Sequence, residues 1–314
     1  MPPAPIKISQ CFKEYLSSQE AKLPYLADIE DETDRVIRVM GGNPGVMQLQ
    51  GTNTYLVGTG RSRILIDTAQ GLPAWIENLS RLLQERNLEV SHVLLTHWHG
   101  DHVGGLPDLV SYDPNLASRI HKHQPDPGQQ PIHEGQVFRT QGATIRAVHT
   151  PGHAFDHMCF VFEEENALFT GDNVLGHGYS VVEDLGTYMK SLQLMKDQGC
   201  ALGYPAHGLK IHDLPAKMQE CIRHKTMRET QIHTALMAYK NSINAGGKAK
   251  RSLTIQELIH MIYGSVPDET YTQAVEPFTK EVLWKLAEDR VVGFEFQGGC
   301  RRWFVNAPLQ QVSI

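Results

Sequence analysis

Thr96-His97-Trp98-His99-Gly100-Asp101-His102-Val103-Gly104-Gly105 is the stretch on which the fold and chemistry of this chain turn. It sets four side chains able to ligate a metal, His97, His99, Asp101 and His102, within six residues, a density that packing alone seldom produces. Imidazole nitrogen and carboxylate oxygen suit a divalent ion such as Zn²⁺. A donor set without cysteine points to a catalytic site with a position open to water rather than to a closed structural knot. An ordinary polar loop explains any one of these histidines well, and all four together poorly.

Upstream of the run lies a β-α-β pattern. Arg63–Asp67 reads as a strand, Pro73 opens a helix that places Trp75, Ile76, Leu79, Leu82 and Leu83 on one face, and Val93–Leu95 reads as the next buried strand. Downstream, strands are expected over Thr144–Val148, Met158–Glu163, Ala167–Thr170 and Cys200–Tyr204. His97, His153, Asp172 and His207 each fall just past the carboxyl end of one of these strands, with glycine or proline close by. Rigid strand ends followed by tight turns are where converging ligands are usually built. Each of these residues alone is commonest as a plain turn residue; their ordered recurrence makes them a candidate set.

Composition narrows the alternatives. With 314 residues and 41% hydrophobic content the chain can bury a real core, as one large domain or a large one plus a small one. Its formal charge of −6, from 29 Lys and Arg against 35 Asp and Glu, offers no general attraction to nucleic acid or anionic membrane. Cys11, Cys159, Cys200, Cys221 and Cys300 are scattered and odd in number, so neither a disulfide framework nor a thiolate zinc knot is expected. The opening Met1-Pro2-Pro3-Ala4-Pro5 lacks a signal-peptide core, and no apolar run reaches membrane-span length. A cytoplasmic protein is expected. Asp28-Ile29-Glu30-Asp31-Glu32 reads as a solvated acidic run without chemistry.

On these residues the sequence resembles the metallo-β-lactamase superfamily of binuclear metal hydrolases, whose five motifs occur here in order. The resemblance implies an α/β chain folded as an αββα sandwich. It implies that His97, His99 and His153 hold one metal, that Asp101, His102 and His207 hold a second, and that Asp172 bridges the two. Asp67 would support the ligands from behind, and Asp101 and Asp172 would be the catalytic carboxylates. The implied cofactor is two Zn²⁺, with Mn²⁺ as the alternative. Such a pair can share a bridging hydroxide as nucleophile while one metal polarises the scissile carbonyl or phosphoryl group.

Gly42–Gly58 and Thr150-Pro151-Gly152-His153-Ala154-Phe155-Asp156-His157 are similar to the lactamase-like subgroup, which includes a mitochondrial endoribonuclease of animals and free-standing thioesterases of fungal aromatic polyketide pathways. Tyr15–Pro24 looks like the fungal branch, the atrochrysone carboxyl acyl-carrier-protein type. That likeness implies hydrolysis of a polyketide thioester on the acyl-carrier protein of a non-reducing polyketide synthase. A homodimer is compatible with it, membrane attachment is not expected, and nucleic acid is disfavoured. Phosphodiester or RNA cleavage is the alternative activity, and a non-catalytic metal-containing binding module is the alternative from another class. Asn53 and Tyr55 are candidates for bordering the pocket, and His157, Asn173 and His177 for lining it or supporting the ligands from behind, whereas His121 and His123 read as a surface loop beside Pro125 and Pro127.

Three segments are expected: an extension over 1–35, the catalytic domain over 36–214 and a separate unit over 215–314. In the last, a helix over Ala216–Tyr239 precedes a linker over Asn244–Ser252. A helix carrying Leu258, Ile259 and Ile262 follows, then a helix over Tyr271–Glu288 that Pro277 is expected to kink, and then a hairpin over Val291–Phe296 and Arg302–Val305. That is the outline of a winged-helix-like domain. Its 13 Lys and Arg against 10 Asp and Glu fall short of a nucleic-acid-binding stripe, so a lid or docking role is expected.

Overall fold

The structure, a computed structural model, describes residues 23–45, 47–242 and 251–307. Most of the expected N-terminal extension, including Cys11, and most of the expected linker lie outside the described residues. The described chain divides into two units between Cys221 and Ile222.

The first unit is built on two sheets. Strands β1 (Ile29–Asp31), β2 (Val36–Met40), β3 (Asn53–Val57), β4 (Ser62–Ile66), β5 (Glu89–Leu94), β6 (Ile120–Lys122) and β7 (Gln130–Pro131) lie side by side in chain order, antiparallel through β4 and parallel from there on. Strands β8 (Val137–Thr140), β9 (Ala143–His149), β10 (Met158–Phe162), β11 (Ala167–Gly171) and β12 (Leu202–Pro205) form a five-stranded sheet, antiparallel except for β11 and β12. Alternation along β3 and β4 sorts side chains to opposite faces. Tyr55, Val57, Ile64 and Ile66 join Phe138, Ile145, Phe160, Phe169 and Tyr204 of the second sheet in one core. Leu56 and Leu65 point the other way, into a core with Trp75, Leu79 and Leu83 of the helix Pro73–Glu85. Strands buried on both faces are the consequence of a sandwich with helices outside, and each fully buried aliphatic side chain contributes about 2 kcal/mol of transfer free energy.

The helix Leu185–Asp197, which is not among the expected elements, buries Leu185, Tyr188, Leu192 and Met195. Its Asp184 cap accepts the Thr187 N–H, replacing an amide partner that the first turn lacks. The acidic run is not a free solvated stretch: Ile29–Asp31 pairs with β2, and Glu30 and Glu32 flank the buried Arg38 guanidinium. A buried cation needs such partners, which charge patterning alone does not reveal. His121 is likewise not in a loop but in β6, its ring against His92 and Phe138.

The second unit begins within the helix Leu214–Ser242 and continues through Ile255–Tyr263, whose Thr254 and Glu257 form a reciprocal capping box. The expected Tyr271–Glu288 helix is present and continuous. Asp268–Thr270 and Glu276–Glu288 are α-helical, with Pro277 in the first turn of the latter, and Tyr271–Val275 between them is a wide π turn that ends two residues before Pro277. Proline lacks an N–H and its ring collides with the carbonyl four residues back in a regular helix, so the first turn is where it is tolerated. The unit closes with the antiparallel hairpin β13 (Val292–Gln297) and β14 (Cys300–Val305). No helix among the described residues is long and apolar enough to cross a membrane.

Candidate metal centre

The loops that leave β5, β9, β11 and β12 carry the candidate ligands. Beyond β5, His97 and His102 are fully buried and His99 and Asp101 partly so. Gly105 lets this loop sit against the turn after β4, since a Cβ there would meet the Thr68 carbonyl oxygen at 2.0 Å and the Trp75 ring at 2.5 Å. The donor atoms fall into two groups, His97, His99, His153 and Asp172 in one and Asp101, His102 and His207 in the other, with the atoms of each within 4.8 Å of one another.

Asp172 faces both groups. Its Oδ2 lies 3.4 Å from His153 Nε2, while its Oδ1 lies 3.5 Å from His102 Nε2 and 3.2 Å from His207 Nε2. Asp101 Oδ2 lies 3.4 Å from His207 Nε2. In the first group His97 Nε2, His99 Nδ1 and His153 Nε2 stand 2.9, 3.0 and 3.3 Å apart. Corners of a tetrahedron with metal–nitrogen arms of about 2.05 Å are about 3.3 Å apart, so this triangle fits one face of a zinc coordination shell.

Hydrogen bonds behind the rings set which nitrogen faces inward. His153 Nδ1 donates to the Val181 carbonyl at 2.6 Å, His207 Nδ1 faces the Gly51 carbonyl at 3.3 Å, and His102 Nδ1 donates to Asp67 Oδ2 at 2.8 Å. Thr96 Oγ1 gives its own hydrogen to Asp67, so it accepts from His97 Nδ1 at 2.9 Å. Rings held this way turn Nε2 inward, where loss of its proton would free a lone pair for a metal, the arrangement that orients metal-ligating histidines. His102 Nε2, His207 Nε2 and Asp172 Oδ1 are buried and make no hydrogen bond, although the two nitrogens stand 3.5 and 3.2 Å from the oxygen. Buried nitrogens and a carboxylate oxygen brought this close are costly unless protons or a cation complete them. The residues therefore fit a bound divalent ion.

Charge divides the same way. Burial, with the nearby His102 and His153, holds His97 well below the usual imidazole range; burial and His153 bring His99 down to about 4. Burial would also lower His102 and His207, but the Asp172 carboxylate, helped by Asp67 at His102 and by Asp101 at His207, outweighs it. His102 is held well above the ordinary value and His207 at about 9. Asp101 and Asp172, although burial pushes both up, are held low by the neighbouring imidazoles.

Asp67 is buried in a left-handed backbone conformation, φ 57°, a strained state that persists only where its surroundings impose it. Its Oδ1 accepts the Thr96 N–H at 2.8 Å, which ties the end of β4 to the ligand loop. Four of the candidate pocket residues bond to the backbone of the ligand loops. Asn53 donates to the Pro205 and Gly208 carbonyls and Tyr55 to Pro205, holding the His207 loop, and Asn173 donates to the Thr150 carbonyl. His157 accepts the Asp172 N–H at 3.1 Å from behind; all four are buried. Gly171, φ 50°, makes this last approach possible, because a Cβ there would lie 2.5 Å from His157 Nε2. His177 is exposed. Gln48, which donates to Asp101 Oδ2 at 3.2 Å, is not among the expected site residues, and nothing in its sequence context marks it.

Residues 48–207 match the Metallo-beta-lactamase superfamily. The chain is 63% identical over 312 residues to a lactamase-like protein, adaB, of Aspergillus niger, covering 98% of each. It is 57% identical over 296 residues to a protein of Aspergillus chevalieri named atrochrysone carboxyl ACP thioesterase, covering 94% of this chain and 95% of the relative. Among solved structures, a beta-lactamase domain protein from Burkholderia ambifaria superposes with a TM-score of 0.73 at 16% identity, covering 91% of this chain and 95% of that one. A metallo-beta-lactamase family protein from Thermus thermophilus gives 0.63 at 22%, covering 87% and 99%. At those identities the two structures speak for the fold alone.

Proposed function

This chain belongs to the metallo-beta-lactamase superfamily, and we propose that it is a metal-dependent thioesterase that releases a polyketide from the acyl-carrier protein of its synthase. The observation that carries the reading is Asp172, one carboxylate oxygen turned toward each of two groups of inward-facing imidazoles. His97, His99 and His153 would hold one divalent ion, Asp101, His102 and His207 a second, with Asp172 between them. Bound there, the pair would supply a water acidic enough to ionise near neutral pH and a Lewis acid for the thioester carbonyl.

The chain's own residues do the rest. Asp67 fixes the His102 ring through Nδ1 and anchors the Thr96 backbone, so the ligand loop keeps its shape without the cation. His157 pins the Asp172 amide, and Asn53 and Tyr55 pin the carbonyls around His207. A thiolate leaves readily near neutral pH, so thioester cleavage needs no dedicated general acid, and the set provides no obvious one. The Aspergillus chevalieri relative supports the substrate class by its name. A net charge of −6 argues against a polyanionic substrate.

The test is a side-by-side assay of an acyl-carrier-protein thioester and a structured RNA with purified protein of defined metal content. Thioester turnover with intact RNA is expected. RNA cleavage with an inert thioester would replace this function with the nuclease one, and inertness toward both, with metal bound, would favour a binding module.

A further inference from the structure

Large apolar side chains left in water gather around the ligand loops. Trp98 stands between His97 and His99 and is 37% exposed; Phe155 follows His153 by two residues and is 52% exposed. The two rings lie with planes 23° apart and centroids 6.5 Å apart, and the Trp98 ring meets the His99 ring edge-on at 4.6 Å. One aromatic pair therefore reaches from solvent to a candidate ligand. Exposed apolar surface collected at the mouth of a buried polar site usually marks a binding surface.

The pair is also fixed in place. The Trp98 N–H points at Asp156 Oδ1 at 3.4 Å, and the same buried carboxylate sits 3.7 Å from Lys122 Nζ. His149 Nε2 lies 3.3 Å from the Phe155 carbonyl. One carboxylate thus ties the loop after β5 to the loop after β9. Rings anchored through their backbones lose little freedom when a ligand lies on them, and flat faces of this kind gain more from a planar π system than from an alkyl chain of equal area.

We propose that Trp98 and Phe155 form a stacking platform for a planar, conjugated acyl group, held beside the His97, His99 and His153 side of the centre. The inference rests on the thioesterase reading, and what it adds is the pair of side chains that would select for flat acyl groups. Trp98 and Phe155 are then specificity-determining residues and take no part in bond breaking.

The experiment compares N-acetylcysteamine thioesters of 2-naphthoic and butanoic acids on the wild type, Trp98→Ala and Phe155→Leu. The Phe155→Leu variant keeps apolar area while losing the flat face, at a site exposed enough for the fold to tolerate it. The ratio of kcat/KM for naphthoyl over butanoyl is expected to fall roughly 3- to 10-fold in each variant, with KM carrying the change. A ratio that does not move, or equal losses on both thioesters, would overturn the proposal. Calorimetric binding of anthraquinone-2-carboxylate gives a readout independent of turnover, and its affinity should weaken by a similar factor in both variants. If the wild type hydrolyses neither of these nor an acyl-carrier-protein thioester, the thioesterase reading fails, and the calorimetry alone decides the platform: equal affinity in wild type and variants would sink it.

Discussion

The ligand end of the sandwich and the C-terminal unit both bury charge, and they do so in opposite ways. In the C-terminal unit buried charges are matched: Lys285 bonds Glu229 at 2.6 Å and Asp289 at 2.8 Å, and Lys225 lies 3.6 Å from Glu281. At the ligand end His102 Nε2 and His207 Nε2 converge to 3.5 and 3.2 Å from Asp172 Oδ1 without a hydrogen bond among them. A paired buried charge holds elements together, and removing one partner exposes the cost of the other. Imidazoles crowded on one carboxylate can instead trade their protons for a shared cation, which matched lysine–glutamate pairs cannot do. The contrast separates architecture from chemistry without reference to any relative.

The sharpest way to break this contrast is to remove a ligand. His97→Ala and Asp172→Ala should each lower thioester turnover by at least about 1000-fold while circular dichroism shows the fold intact, and dialysis against a chelator should do the same until Zn²⁺ or Mn²⁺ is restored. Full activity in metal-free protein would show that the unpaired atoms are not a metal site. Asp67→Asn keeps shape but weakens the acceptor behind His102, and should cost about 10- to 100-fold in metal affinity or activity, measured by metal titration.

In the C-terminal unit the expected loss is of stability and not of turnover. Lys285→Met leaves Glu229 buried without its main partner and should destabilise by about 2 kcal/mol, with most of it recovered when Glu229→Leu is added; urea unfolding of the four proteins reads the cycle. A comparable fall in kcat would blur the line between the regions. The smallest expected effect is chemical. Burial pushes the thiol of Cys159, in β10, up to about 12, whereas Cys300 in the hairpin is exposed. At about pH 8 a thiol reagent should modify Cys300 and spare Cys159 in the native protein, as peptide mapping would show.

Legibility followed the same division. The run from Thr96 to Gly105, the strand-end positions of His153, Asp172 and His207, and the helix opening at Pro73 are local signals, read from spacing and apolar period. The acidic run keeps Asp28, Glu30 and Asp31 exposed, as a solvated stretch should, but its pairing with the buried Arg38 was not legible because that partner is reached only across β1 and β2. Asn53 and Tyr55 read as bordering the pocket, and Asn173 and His157 as lining it or supporting the ligands; each turns inward to hold a backbone group. The π turn before Pro277 and the Gln48 bond to Asp101 have no one-dimensional signature.

By itself the sequence determined the donor types, their order and the strand ends they follow, because ligand chemistry and period-two burial are properties of short segments. Only the tertiary structure decided that the two oxygens of Asp172 face different imidazole groups, that Asp67 reaches both Thr96 and His102, and that the Trp98 and Phe155 rings lie nearly parallel 6.5 Å apart. These are distances between residues from different loops, and they are set by how two sheets pack rather than by anything adjacent along the chain.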